Sequence, residues 1–138
     1  MEIKFKLKEG AFLPERGYEW DAGLDLKTPY SFTVYPGGRE DVDTGVCVEI
    51  PHGYFGFVVS KSGLMVNEGL TTVGIIDSEY RGSIHGVVFN HGNKAVDFEV
   101  GDKVTQLIIV PAPYFDMKIV NELSPTIRGE KGFGSTGR

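Results

Sequence analysis

Glycine and proline interrupt this chain so often that it has almost nowhere to place a helix of ordinary length. The longest stretch free of both is the eleven residues from Tyr114 to Ser124, whereas an average α-helix takes about 11–12, and both residue types weaken helix interiors. Glycine alone supplies 19 of 138 residues, about twice the usual share of roughly 7%. Strands tolerate such punctuation because they are short. Alternation adds positive evidence: Ile3, Phe5 and Leu7 interleave with Lys4, Lys6 and Lys8, and Val42, Thr44, Val46, Val48 and Ile50 recur at every second position, the period of a strand. Further strands are expected over Ser31 to Tyr35, Tyr54 to Ser60, Ile84 to Asn90, Lys94 to Val100, Lys103 to Val110 and Phe115 to Leu123. Turn signals at Pro36-Gly37-Gly38, His91-Gly92-Asn93 and Val100-Gly101-Asp102 separate them at the short intervals of a sandwich, jelly roll or barrel. The expectation is one all-β domain without internal repeats, long enough to bury its own core.

Charge and cysteine content then exclude whole classes of function. Fourteen Lys and Arg against 19 Asp and Glu leave a net charge of −5, which argues against broad binding to nucleic acid or membrane surfaces. Any phosphate site must be local. No apolar run approaches the roughly 18 residues of a membrane span, and Met1 to Gly10 alternates charged and apolar side chains instead of forming a signal-peptide core. A cytoplasmic protein is expected. The single cysteine, Cys47, cannot make an internal disulfide and reads as a strand position in Val46-Cys47-Val48 rather than a nucleophile. His52, His85 and His91 lie in or beside strands and turns without zinc-ligand spacing, Trp20 reads as a packing residue, within the chain or at a subunit interface, and the charged N-terminal strand reads as a solvated edge.

Five segments stand out chemically. Asp77, in Gly74-Ile75-Ile76-Asp77-Ser78-Glu79-Tyr80-Arg81, follows two isoleucines at a strand end, where a carboxylate either forms a turn or activates a water. In the second reading Tyr80 offers a flat wall, Arg81 a nearby positive charge, and the isoleucines a desolvated setting. Ser60-Lys61-Ser62-Gly63-Leu64 sets a cation, a hydroxyl and a glycine side by side without the spacing of a Walker loop. It is either a plain turn or a phosphate-binding one. Asp25 follows Gly23 in Ala22-Gly23-Leu24-Asp25-Leu26, and Gln106 interrupts an apolar strand, where it either faces outward or needs a buried partner. Residues 128–138, RGEKGFGSTGR, hold four glycines and one apolar side chain, Phe133, so they cannot build a core of their own. They form either a disordered tail or a mobile arm suited to anions, because glycines let backbone N–H groups approach phosphate while Arg128, Ser135 and Thr136 add charge and donors. Phe133 could stack on a base.

In order and spacing these five segments resemble the five motifs of the homotrimeric dUTPase family, from about Ala22 to Gly137. The most specific parts are Gly74-Ile75-Ile76-Asp77 with Tyr80-Arg81-Gly82, and Arg128-Gly129 with Gly132-Phe133-Gly134-Ser135-Thr136-Gly137. The resemblance implies a jelly-roll-like β domain over residues 1–127 and a mobile arm over 128–138. It also implies a homotrimer with sites at subunit interfaces, and Mg²⁺-assisted hydrolysis of dUTP to dUMP and pyrophosphate, which limits uracil incorporation into DNA and supplies dUMP for thymidylate synthesis. Asp77 would be the general base for water attacking the α-phosphorus, and Asp25 would help hold hydrated Mg²⁺ or support that water. Lys61, Ser62 and Gly63 would contact phosphates, with Gln106 near the α-phosphate. The backbone of Gly74, Ile75 and Ile76 would read the uracil edge, and Tyr80 would pack under the deoxyribose. Phe133 would cover the uracil, while Arg128, Gly134, Ser135 and Thr136 would close over the phosphates, in a neighbouring subunit's site.

Some positions depart from the family pattern. Lys61 stands where Arg is usual and cannot form its bidentate fork, Ser60 replaces Pro or Gly, and Met65 replaces Ala. Thr71 stands for an Asn that assists base recognition, and Glu79 replaces Asp or Gly. The rival enzyme is the related dCTP deaminase, which uses a Glu in another sequence setting and lacks the complete glycine-rich ending. The rival from another class is a dUTP-sensing regulatory trimer that signals to a protein partner. A purely structural β-trimer leaves the arm's chemistry unexplained.

Overall fold

The computed structural model describes all residues 1–138 and divides the chain at the expected turns. Ten strands and one helix follow in the order β1 (Lys4–Leu7), β2 (Gly23–Lys27), β3 (Phe32–Val34), β4 (Arg39–Glu49), β5 (Tyr54–Ser60), α1 (Ser62–Glu68), β6 (Leu70–Thr71), β7 (Val73–Ile76), β8 (Ser83–Asn90), β9 (Val96–Phe98) and β10 (Lys103–Pro111). They form two four-stranded antiparallel sheets, β1-β4-β8-β6 and β2-β10-β5-β7, with a two-stranded β3-β9 ribbon. The chain is all-β, as the alternation predicts, with the jelly-roll architecture that the family resemblance implies. None of its helices is long and apolar enough to cross a membrane.

Both sheets supply the core. Val46, Val48 and Ile84 from one meet Leu26, Val58, Ile76 and Leu107 from the other, and a second cluster gathers Val34, Val42, Leu70, Val88, Phe98 and Val104 beneath the ribbon. Burial of such side chains stabilises by about 1.5–3 kcal/mol each. Polar groups that enter the interior are satisfied. Asn90 donates to the Val34 and Lys94 carbonyls at 2.9 and 2.8 Å and accepts from the Gly92 N–H at 2.8 Å, tying β8 to the turn that follows it. Cys47 is buried on β4, and β1 is an outer strand with exposed lysines.

Three local expectations are corrected. Ser62–Glu68 is helical, under two turns long, where a plain or phosphate-binding turn was expected. Its end requires Gly69, which adopts φ 71° and lies where a Cβ would come 2.9 Å from the Gly92 nitrogen. The strand expected over Lys94 to Val100 shrinks to β9, because β3 offers it only three partners. Phe115 to Leu123 forms no strand: beyond Ala112, whose N–H donates to the Gly53 carbonyl at 2.7 Å, the chain makes only local hydrogen bonds and leaves Tyr114, Phe115, Met117 and Ile119 exposed. Extended chain needs an edge to pair with, and no strand of either sheet pairs with this segment. Trp20 packs on nothing within the chain and is 90% exposed.

Candidate active site

Of the residues singled out by sequence, Asp25, Lys61 and Gln106 line one cleft, Asp77 and Tyr80 line another, and Arg128 to Thr136 lie in a free arm. The first cleft lies where β2, β10 and the end of β5 meet, encloses about 440 Å³, and is lined by Asp21, Gly23, Asp25, Lys61, Lys103 and Gln106. Register explains the grouping, since Gln106 stands opposite Asp25 on one side and Val59 on the other. Gln106 Nε2 donates to the Ser60 carbonyl at 2.9 Å. The glutamine is therefore half-buried with a backbone partner, and its carboxamide lies directly over Gly23, where any Cβ would collide with Oε1.

Asp25 is the electrostatic centre of this cleft. Its side chain is only 8% exposed, yet both oxygens are paired: Lys61 Nζ donates to Oδ1, and Lys103 Nζ lies 2.9 Å from Oδ2. Burial alone would raise its pKa, but the hydrogen bonds and charges of the two lysines outweigh burial and hold the carboxyl below the ordinary range. Lys103 is shifted upward by the same hydrogen bond and charge. The network runs on through Glu15, 3.6 Å from Lys103 and 2.8 Å from Lys27. Glu15 also exchanges backbone hydrogen bonds of 2.7 and 3.3 Å with Asp25, so loop and strand are fixed together. Glu15, Lys27 and Lys103 escape one-dimensional reading, because only the β2–β10 register, with Lys103 opposite Lys27, brings them to this carboxylate.

The second cleft, about 1,060 Å³, is lined by Asp77, Glu79, Tyr80, Tyr54, Tyr114 and Phe115 among others. Asp77 follows β7 and opens a tight turn in which the Tyr80 N–H donates to the Asp77 carbonyl at 3.1 Å. Its carboxylate is exposed. Ile76 points into the core and Ile75 outward, so the isoleucines do not desolvate it as expected. The Arg81 guanidinium caps the Ser78 and Tyr80 carbonyls at 2.6 and 3.1 Å, bracing the turn. Tyr80 donates to the Ser83 carbonyl at 3.0 Å, and its ring occupies the space a side chain at position 82 would need, which fixes glycine there. β7 is the outer strand of its sheet, leaving one row of backbone groups around Gly74 to Ile76 unpaired.

These clefts are far apart. Asp77 lies one step beyond the Gly56–Ile76 pair and Lys61 one step beyond Ser60, and about six residues at about 3.3 Å each put them about 20 Å apart along the sheet. Ser62 and Gly63 are exposed in the first turn of α1. A Cβ at Gly63 would touch nothing and one at Gly74 would make only an ordinary 3.6 Å contact with Val58, so neither glycine is required by the chain's own packing. Arg128, Phe133, Gly134, Ser135 and Thr136 are all exposed, and the arm's hydrogen bonds are local turns such as Ser135 N–H to the Gly132 carbonyl at 3.1 Å.

No group of three His, Cys, Asp or Glu side chains converges on a point that could cage a metal. Asp25, a single ionised carboxylate lining the first cleft, fits the way Mg²⁺ is usually held, by one or two carboxylates together with substrate phosphates.

Solved structures share this architecture. The Staphylococcus bacteriophage 80alpha dUTPase with dUPNHPP superposes with a TM-score of 0.94 at 29% identity, covering 99% of both chains. A phage phi11 dUTPase of S. aureus, a variant solved for its coordination of a structural Mg(II) ion, gives 0.83 at 27% identity over 88% of this chain and 98% of that one. The fold is thus that of the dUTPases. The dUTPase family model matches residues 9–137. Proteins called deoxyuridine 5′-triphosphate nucleotidohydrolase are 45% identical in Anaeromyxobacter sp. (strain Fw109-5), over 88% of this chain and 86% of the relative. In Escherichia phage T5 the figure is 40% over 98% of each, and in Mus musculus 38% over 96% and 83%. The chain belongs to the dUTPase family.

Proposed function

We propose that this protein hydrolyses dUTP to dUMP and pyrophosphate in the cytoplasm, in composite sites assembled from copies of the chain in a homotrimer. The observation that carries this reading is the separation of Asp25, Lys61 and Gln106 in one solvent-facing cleft from Asp77 and Tyr80 in another, about 20 Å away along one sheet. One triphosphate cannot touch both ends within a single chain. A second copy that sets its Asp77 cleft against the Asp25 cleft closes the gap, and the exposed apolar side chains of Tyr114, Phe115, Met117 and Ile119 give it a surface to bury.

In that site Lys61, Ser62 and the backbone at Gly63 bind phosphate oxygens, and Gln106, steadied by the Ser60 carbonyl, contacts the α-phosphate. The open edge of β7 at Gly74, Ile75 and Ile76 reads the uracil, rejecting cytosine because it presents an amino donor where uracil presents an acceptor. Tyr80, held by Ser83, packs against the deoxyribose. Asp25 would hold Mg²⁺ through water, together with the phosphates, and the ion would offset charge on the triphosphate. Asp77 takes a proton from the attacking water as its oxygen bonds to the α-phosphorus and pyrophosphate leaves with the bridging oxygen. The arm closes over the nucleotide, with Phe133 on the base, Arg128, Ser135 and Thr136 on the phosphates, and Gly134 letting the backbone approach closely.

Pyrophosphate release from dUTP, dCTP, dTTP and UTP with Mg²⁺ tests the reading. Release from dUTP alone is expected, and equal release from dCTP or UTP would refute it. Two further results follow from the geometry. Gly23→Ala drives a methyl group into Gln106 and should lower kcat/KM for dUTP at least tenfold; unaltered kinetics would remove Gln106 from the site. Deleting residues 128–138, which the folded body does not lean on, should leave the melting temperature within about 2 °C and nearly abolish hydrolysis. A truncated protein at full activity would exclude the arm. A second reading, a dUTP-sensing trimer that also signals to a protein partner, draws on the phage dUTPases such as that of 80alpha, which control transfer of virulence genes by a proto-oncogenic G protein-like mechanism. A single catalytic protein could serve both roles.

A further inference from the structure

Asp25 carries two lysines where the proposed chemistry has work for only one. Lys61 belongs to the phosphate-binding segment at the start of α1, and reaching a triphosphate takes it away from Asp25 Oδ1. That departure would strand a carboxylate whose side chain is only 8% exposed, unless another cation stays behind. Lys103 meets that need. Its Nζ lies 2.9 Å from Asp25 Oδ2 and 3.6 Å from Glu15 Oε1, and Glu15 is itself held 2.8 Å from Lys27. β10 and β2 carry Lys103 and Asp25 on neighbouring strands, so the contact does not depend on a loop. With Lys61 on the phosphates, Lys27 and Lys103 still balance Glu15 and Asp25 one for one.

We propose that Lys103 is a positioning residue: it keeps Oδ2 of Asp25 fixed while Lys61 leaves for the phosphates, so that Oδ1 is presented to hydrated Mg²⁺ in the nucleotide-bound site. The inference rests on the phosphate-end reading above. It assigns Lys103 no phosphate contact. Lys103 acts on the metal-linked part of binding, whereas Lys61 acts on the nucleotide itself.

The experiment is calorimetric titration of a non-hydrolysable dUTP analogue into the full-length protein, in EDTA and again in Mg²⁺, for the unaltered chain, Lys103→Met, Lys103→Arg and Lys61→Met. Steady-state kinetics run alongside. Lys103→Met should bind the analogue in EDTA within about threefold of the unaltered chain, lose about 10–100-fold of the affinity that Mg²⁺ adds, and lose kcat by a similar factor. Lys103→Arg, which keeps the charge, should recover most of both. The proposal is overturned if Lys103→Met weakens binding in EDTA as much as Lys61→Met, which would make Lys103 a phosphate ligand. It is also overturned if the Mg²⁺ gain is unchanged, or if Arg and Met behave alike and only the melting temperature falls. Should Lys103→Met not fold, Lys103→Gln takes its place with the same expected results. Failure of the functional reading is separately visible, because the unaltered chain would then neither bind the analogue nor release pyrophosphate.

Discussion

Asp77→Asn should lower dUTP turnover by about 10²–10⁴-fold, the usual contribution of a positioned general base, while leaving assembly and binding of a non-hydrolysable analogue almost unchanged. The substitution is isosteric, and the turn that presents the side chain is held by main-chain groups: the Tyr80 N–H on the Asp77 carbonyl, and the Ser78 and Tyr80 carbonyls under Arg81. None of these needs the carboxylate. The side chain is exposed, so its loss should change stability by no more than about 0.5 kcal/mol. What the amide cannot do is accept the proton of the attacking water. A loss confined to kcat therefore separates this residue from Lys61, whose removal should weaken nucleotide binding as well. Single-turnover kinetics give the chemical step directly. A variant that turns over at the unaltered rate would take Asp77 out of the reaction.

Why the general base could be found in the sequence while its electrostatic counterpart could not follows from where information sits along a chain. Asp77 and its turn, the Lys61-Ser62-Gly63 segment and the glycine-rich arm are each local, a few residues whose types and order carry the chemistry. Strands were legible for the same reason, since the alternation from Val42 to Ile50 is a property of one segment and β4 spans most of it. The Asp25 network is non-local. Glu15, Lys27, Lys61 and Lys103 converge through the pairing of β2 with β10 and of β10 with β5, and no pattern in any one segment marks them. α1 escapes sequence reading because a helix of seven residues, with Gly63 in its first turn and Gly69 as its cap, is stabilised by that αL cap and by Leu64 against the second core cluster rather than by periodicity. The apolar run from Phe115 to Leu123 carries a strand pattern that the isolated chain cannot satisfy, since a strand takes shape only against an edge. Trp20 belongs with it, a large apolar side chain for which a single chain has no cover.

The same non-locality gives the sharpest test of a composite site. Copies bearing Asp77→Asn keep an intact phosphate end, copies bearing Lys61→Met keep an intact Asp77 end, and each should be nearly inactive alone. Co-refolded in equal amounts, they should regain activity in about one quarter of sites, the fraction in which an intact Asp77 donor stands beside an intact Lys61 donor when copies assort at random around a closed ring. Both residues would have to sit in one chain's site for recovery to be absent, and the β5–β7 register opposes that by placing them about 20 Å apart. Mixing the folded variants without unfolding should restore activity only as fast as subunits exchange, which separates reassembly from a trace of active contaminant. Activity at the level of the separate variants, with mixed trimers present in equal measure by native mass spectrometry, would mean that each chain closes its own site. The exposed aromatic side chains beyond Pro111 and the two open clefts would then need another explanation.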